Sequence, residues 1–336
     1  MDKNLKDPAR RRALAHGVAL GLGAAGIKSV RAQTADFPNR VIKFVLPFPA
    51  GGTLDALGRQ VGNRLAPRLG QPIIIESRPG ANSQIGAAFV AKAPADGYTL
   101  LLGTDASMSV APALSKSLPY DPRRDFAPVS LLAHASLMLA AHPSIGVSSL
   151  ADLIAQAKAQ PGKLSYASLG IGSLAHITTE ALAQRTGMEL LHVPYQGIAP
   201  AMTALLAGEI KLLFAAITLP LPHIRSGRVR GIALAGPARS PLLPDMPTFA
   251  EVGLTDFESR GWFGVLAPRG TPEPIIRTLG REIWSVVSSP EFVETFVKVQ
   301  GFEATTTPPE QFEAFLRRDQ EKWASLVDKL GARVQP

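Results

Sequence analysis

The chain has 336 residues, 35 basic and 27 acidic side chains, and no cysteine. The absence of cysteine excludes disulfides, thiol catalysis and cysteine metal sites. The length is enough for two domains of roughly 100–150 residues each, resting on apolar cores alone.

The N-terminus reads as an export signal. Lys3, Lys6, Arg10, Arg11 and Arg12 precede a glycine- and alanine-rich apolar run from Ala13 to Ile27, and Val30-Arg31-Ala32 places small residues where a signal peptidase cuts, after Ala32. Arg11-Arg12 gives residues 1–32 a twin-arginine look; general secretory export fits as well. The run is too short and glycine-rich for a membrane span. Residues 1–32 hold seven basic and two acidic side chains, so the remainder carries 28 against 25, a net charge of +3. No basic stripe with interleaved aromatics remains, which argues against a nucleic-acid partner.

Beyond the signal, strands and helices alternate. Val41–Leu46 reads as a short buried strand, and the turn Pro47-Phe48-Pro49-Ala50-Gly51-Gly52 leads into a helix from Thr53 to Leu65. A strand, a glycine turn and a helix N-terminus form a ready anion site, because unpaired helix amides and the helix dipole both point at the turn. Pro72–Glu76 is a strand, Ile85–Ala93 a helix and Tyr98–Gly103 a strand. Ala127–Ala141 is apolar and too long for one ordinary strand, so it is expected to pass between domains. Leu150–Lys158 is a helix capped by Ser149. Strand Lys163–Ser168 then enters a second glycine turn, Ser168-Leu169-Gly170-Ile171-Gly172-Ser173, before a helix to Arg185. Strand Leu190–Val193, helix Ala199–Ala207, strand Ile210–Ala215, a short helix Leu221–Ser226 and strand Val229–Ala235 follow. Trp262–Ala267 is the last strand, and helices Glu273–Ser288 and Pro309–Leu330 end the chain. This alternation implies α/β domains with parallel sheets covered on both faces. Ligands of such sheets sit outside the carboxyl ends of the strands.

Blocks in order along the chain carry a family likeness. Phe48-Pro49-Ala50-Gly51-Gly52-Thr53-Leu54-Asp55, Glu76-Ser77-Arg78-Pro79-Gly80, Ala95-Asp96-Gly97-Tyr98-Thr99, Leu118-Pro119-Tyr120-Asp121-Pro122, Pro161-Gly162-Lys163-Leu164-Ser165-Tyr166, His192-Val193-Pro194-Tyr195-Gln196-Gly197, Leu243-Pro244-Asp245-Met246-Pro247 and Trp262-Phe263-Gly264-Val265 resemble the substrate-binding proteins of tripartite tricarboxylate transporters, often called Bug receptors. The resemblance implies a type II periplasmic binding protein: two doubly wound α/β domains with a hinge and a ligand cleft. It places domain 1 at 37–137 and 259–336 and domain 2 at 138–258. It also implies a periplasmic monomer that binds a small carboxylate, uses no cofactor and no metal, catalyses nothing, and delivers its ligand to a membrane permease.

Carried over residue by residue, Ala50, Gly51, Gly52 and Thr53 are first-loop donors, with Phe48 as an apolar wall. Ser168, Gly170, Gly172 and Ser173 form the second loop. Thr104 and Asp105 close one side, and Tyr195, Gln196, Ala215 and Ala216 lie at other strand ends. Asp55 and His176 read as structural or capping groups. Many relatives carry Asp-Asn or a similar polar pair where this chain has Ala215-Ala216, which argues against a simple citrate-like ligand. Two other readings are available. A sensor domain for a signalling partner would use the same fold. An exported dinucleotide-dependent enzyme would use Gly170-Ile171-Gly172-Ser173-Leu174-Ala175 as its fingerprint, but Glu189 stands at the wrong end of the next strand to meet a ribose. Histidines 134, 142, 176, 192 and 223 show no metal spacing.

Overall fold

The computed structural model describes residues 37–334 except 116 and 306; the export signal and cleavage point expected from the sequence lie outside the described residues. In chain order the elements are β1 Ile42–Leu46, α1 Thr53–Leu69, β2 Ile73–Ser77, α2 Gln84–Ala91 and β3 Thr99–Thr104. A π-helical turn, Ala106–Val110, and a helical turn, Ala111–Leu114, lead to β4 Phe126–Ala141. Then come α3 Leu150–Ala159, β5 Ser165–Ser168, α4 Leu174–Thr186, β6 Leu191–Pro194, α5 Ile198–Ala207, β7 Leu212–Ala216, α6 Leu221–Arg225 and β8 Arg230–Leu234. The chain returns through β9 Arg260–Pro268, α7 Glu273–Val287, β10 Glu303–Ala304 and α8 Pro309–Leu330. Ser149 caps α3 through a reciprocal capping box with Asp152.

The two parallel sets match the sequence reading. β1 lies between β2 and β3, all parallel. β5 lies between β6 and β7, also parallel. The sheets as wholes are mixed, however, which departs from purely parallel sheets. β4 carries the chain out of the first sheet and β9 carries it back, so the two run antiparallel side by side. β4 pairs with β9 over Phe126–Ser136, then with β7 and β8 over its last residues, Leu137–Ala141. The long apolar run is therefore one strand serving two sheets, changing partners between Ser136 and Leu137.

The two crossing segments meet the chain just after β8 at that point. Leu137 N–H donates to the Ser259 carbonyl at 3.1 Å, Ala235 N–H to the Leu137 carbonyl at 2.7 Å, and Ser259 N–H to the Ala235 carbonyl at 2.9 Å. Each sheet is covered on both faces. Leu57, Val61 of α1 and Leu279, Ile283 of α7 join one cluster on the first sheet, while Phe312 and Leu316 of α8 join the cluster on its other face. The later turns of α8 bury Trp323, Val327 and Leu330 with Tyr166 and Phe214 of the second sheet. Val110, from the turn after β3, joins that second-sheet cluster too. The C-terminal helix therefore packs on both sheets, a feature that the sequence alone did not reveal.

Candidate functional site

The register of β4 brings the strand ends together. Thr104, at the end of β3, pairs with Phe263, which pairs with Ala133 of β4. Ala216, at the end of β7, pairs with Leu137. Four residues of β4, about 13 Å of extended chain, separate the carboxyl ends of the two parallel sets. Both glycine loops leave from those ends. The second loop reaches further across: a Cβ built on Gly261 would lie 3.3 Å from Leu174 Cδ2 and 3.4 Å from Asp105 Oδ1. The start of α4 and the end of β3 thus meet over the hinge strand.

The two loops are built alike. In the first, Gly51 has φ +85° and Gly52 is the extended N-cap of α1. Gly51 N–H donates to Asp55 Oδ2 at 2.8 Å, and Arg59 Nε lies 2.8 Å from Asp55 Oδ1. Ser77 Oγ at the end of β2 donates to the Phe48 carbonyl at 2.8 Å. In the second, Gly172 has φ +75° and donates its N–H to His176 Nδ1 at 3.0 Å. Ser173 caps α4 by accepting the His176 N–H at 3.3 Å. Each loop therefore has a positive-φ glycine whose amide is taken by a side chain four residues along the helix. The Gly51 and Gly172 amides are engaged within the protein. The amides left for an anion are those of the first helical turns beyond them.

The predicted residues fall into three groups. Ala50, Gly51, Gly52, Thr53 and Gln196 are exposed, and Phe48, Gly170, Tyr195 and Ala216 are half-buried. Ser168, Gly172, Ser173, Thr104, Asp105 and Ala215 are buried. Tyr195 packs with Ala215 on the outer-face cluster of the second sheet, which gives both a packing role. Phe48 packs partly on the first-sheet core. Ile171, at the tip of the second loop, escaped sequence analysis: it is 48% exposed, a large apolar side chain held between two glycines. Its only sequence signal is an aliphatic residue inside a glycine turn.

Beneath the second loop lies a stack of rings. His176 stacks on His192 with centroids 4.1 Å apart, and His192 on Tyr166 at 4.9 Å. His192 Nε2 is 2.6 Å from Ser168 Oγ, and Tyr166 Oη donates to Glu180 at 2.6 Å. Burial, with the neighbouring His192, lowers His176 to about 4. Burial also lowers His192. Burial, aided by Arg260, lowers His134 to about 4. Asp105 is raised to about 7, by burial first and then by the charge of Asp319. Its Oδ2 and the Thr104 Oγ1 have no hydrogen-bond partner among the described residues. Those residues contain no group of three His, Asp or Glu able to hold a metal ion, and no helix among them is long and apolar enough to cross a membrane.

These shifts set a pH profile. His134 and His176 are depressed when folded, so their stabilisation is present above the ordinary histidine value and is lost as pH falls toward about 4. Asp105 is raised, so its contribution is present below the ordinary aspartate value and is lost as pH rises through about 7. Two groups outweigh one between those limits. Thermal stability should therefore rise by the order of 3 kcal/mol from pH 4 to about 6.5 and level off near neutrality. Asp105→Asn should steepen that rise in a melting-temperature series; a flat series would show that these groups are not buried as described.

Two linked α/β sheets, with paired anion-type loops at the crossing strands, define a solute-binding protein of the two-domain cleft class. The chain matches the tripartite tricarboxylate transporter family receptor over residues 57–332. It is 38% identical over 320 residues to Protein BugT of Bordetella pertussis, covering 95% of this chain and 97% of that one. Among solved structures, it is 33% identical to an R. palustris protein with adipate (TM-score 0.83, 88% of this chain and 99% of that chain). It is 34% identical to the periplasmic binding protein BugD (TM-score 0.80, 89% and 99%). The chain belongs to the tripartite tricarboxylate transporter receptor family, a family of solute-binding receptors.

Proposed function

We propose that the protein is a periplasmic receptor that binds a small carboxylate between the Gly51 and Gly172 loops and hands it to a membrane permease of the tripartite tricarboxylate type. One observation carries this reading: the carboxyl ends of both parallel strand sets, each with a helix N-terminus, converge on residues Ala133–Leu137 of β4. Helix amides and dipoles aimed at one point favour a carboxylate without a basic side chain. The solved relative with adipate supports the same ligand class. In this reading residues 37–137 and 259–336 form one domain and 138–258 the other, with α8 bridging them, and the protein acts as a monomer. The binding set comprises Phe48, Ala50, Gly52 and Thr53 on one side and Gly170 and Ser173 on the other, with Gly51, Gly172 and Ser168 shaping the two loops. Thr104, Asp105, Gln196 and Ala216 frame it, and Tyr195 and Ala215 pack behind that frame.

The ligand leaves unchanged. Ser168 and His192 have the spacing of a nucleophile and its base. Ser168 is fully buried, however, and its Oγ also bonds the Gly170 backbone, so it pins the loop instead of facing a ligand. The test is a thermal-shift screen of the mature protein against adipate, malate, citrate and benzoate. A ligand at 100 times its Kd should raise unfolding free energy by about 2.7 kcal/mol. The absence of a shift with every carboxylate would overturn the reading.

A further inference from the structure

The second loop stands on an unusual support. A histidine that accepts a backbone N–H at Nδ1 must be neutral and carry its proton on Nε2. In the first loop the equivalent acceptor is the Asp55 carboxylate, which has Arg59 beside it. His176 is 3% exposed, and among the described residues its ring is bonded by the Gly172 N–H and by no charged group. The titratable groups around it are His192 of β6, stacked on its face, and Tyr166 of β5. Glu180, one turn along α4, is held by Tyr166 and by Arg333 beyond α8. Asp105 lies beyond Leu174, across the hinge strand. Among the described residues no carboxylate bonds the imidazole, so its surroundings favour the neutral ring.

We propose that His176 is a positioning residue: its neutral Nδ1 holds the Gly172 amide, fixes the second loop in its left-handed conformation, and thereby sets the affinity for the carboxylate. The inference rests on the receptor reading given above. Its logic is that an imidazolium would set a second N–H against the Gly172 N–H, releasing the glycine and turning the loop amides away from the anion. The ring need not touch the ligand to act in this way.

The same geometry predicts how substitutions behave. Asn places an amide oxygen near the position of Nδ1, so His176→Asn can still accept from Gly172 and cannot take a proton. Leu fills the volume but offers no acceptor, leaving a buried N–H unpaired.

The experiment uses the full mature protein and adipate, malate and benzoate as probes. Calorimetry should show His176→Leu losing at least tenfold in affinity while its circular dichroism stays native, with His176→Asn within about threefold of the wild type. The ratio of wild-type to His176→Asn affinity should fall by about twofold from pH 6 to pH 4, where half of His176 is protonated; comparing the two proteins cancels protonation of the probe itself. Nitrogen-15 NMR of the ring should report an unprotonated Nδ1 at pH 7. A protonated Nδ1, or His176→Leu binding as tightly as wild type, would overturn the proposal. A wild type that bound none of the probes but kept the Nδ1 signature would remove the carboxylate reading and leave the loop support standing.

Discussion

Gly172→Val is expected to abolish carboxylate binding while the protein remains folded. Gly172 has φ +75°, a conformation that β-branched residues avoid at a cost of about 1–3 kcal/mol. A Cβ there would also lie 2.1 Å from Leu114 Cδ1, so Leu114 must move out of its place against the second-sheet core. The loop can escape both penalties only by rotating the peptide, and that breaks the bond from Gly172 N–H to His176. Gly51→Val meets the first penalty alone: its φ is +85°, but nothing stands within 4 Å of its Cβ. Its affinity should therefore fall by about 10–100-fold, the equivalent of the strain, while Gly172→Val falls below detection by calorimetry with adipate. Circular dichroism should show both variants folded, because the loops lie at strand ends and not in the cores. Equal, undiminished affinity in both variants would remove the loops from the binding site.

The fold was legible because its signals are local. The apolar strand Ile42–Leu46, the glycine turns and the Ser149 cap each act within a few residues, and each appears where the pattern places it. The length of the apolar run ending at Ala141 was itself a topological clue, since a strand of 16 residues must serve more than one sheet. What the sequence hid is long-range. That Trp323 and Val327 pack on the second sheet while Phe312 packs on the first depends on the path of α8 across both, and its heptad-like pattern reads the same either way. The mixed sheet follows from the return of β9 beside β4, which no periodicity encodes. At the site, sequence places the loops at the strand ends but not the direction of their amides. The donors nominated at Gly51 and Gly172 are taken by Asp55 and His176, and a bond between residues four apart across a helix start leaves no distinct composition. Ala215 was placed at the cleft because many relatives carry a polar pair at that position, and its side chain packs in the outer-face cluster of the second sheet.

The hinge itself should be the most sensitive point of the structure, and Trp262→Ala is expected to cost about 3–5 kcal/mol in unfolding free energy. Trp262 is fully buried on β9, one of the crossing strands, and pairs with His134 of β4. Its ring packs edge-on against Phe312 and Phe315 of α8. Its indole N–H donates to Asp319 Oδ2 at 2.7 Å, tying the hinge strand to the helix that spans both sheets. Truncation to alanine therefore removes a large apolar volume and also leaves the half-buried Asp319 carboxyl without the indole donor. The two contributions can be separated. Trp262→Phe keeps most of the ring but loses the donor, and should cost about 1–3 kcal/mol. Combining it with Asp319→Leu, which removes the stranded acceptor, should recover part of that loss, because two residues in one contact do not act additively. Urea unfolding of the four proteins measures each cost. If Trp262→Ala lost less than about 1 kcal/mol, α8 would not be anchored to the crossing strand. The two sheets would then be joined at the crossing mainly through the Leu137, Ala235 and Ser259 backbone contacts.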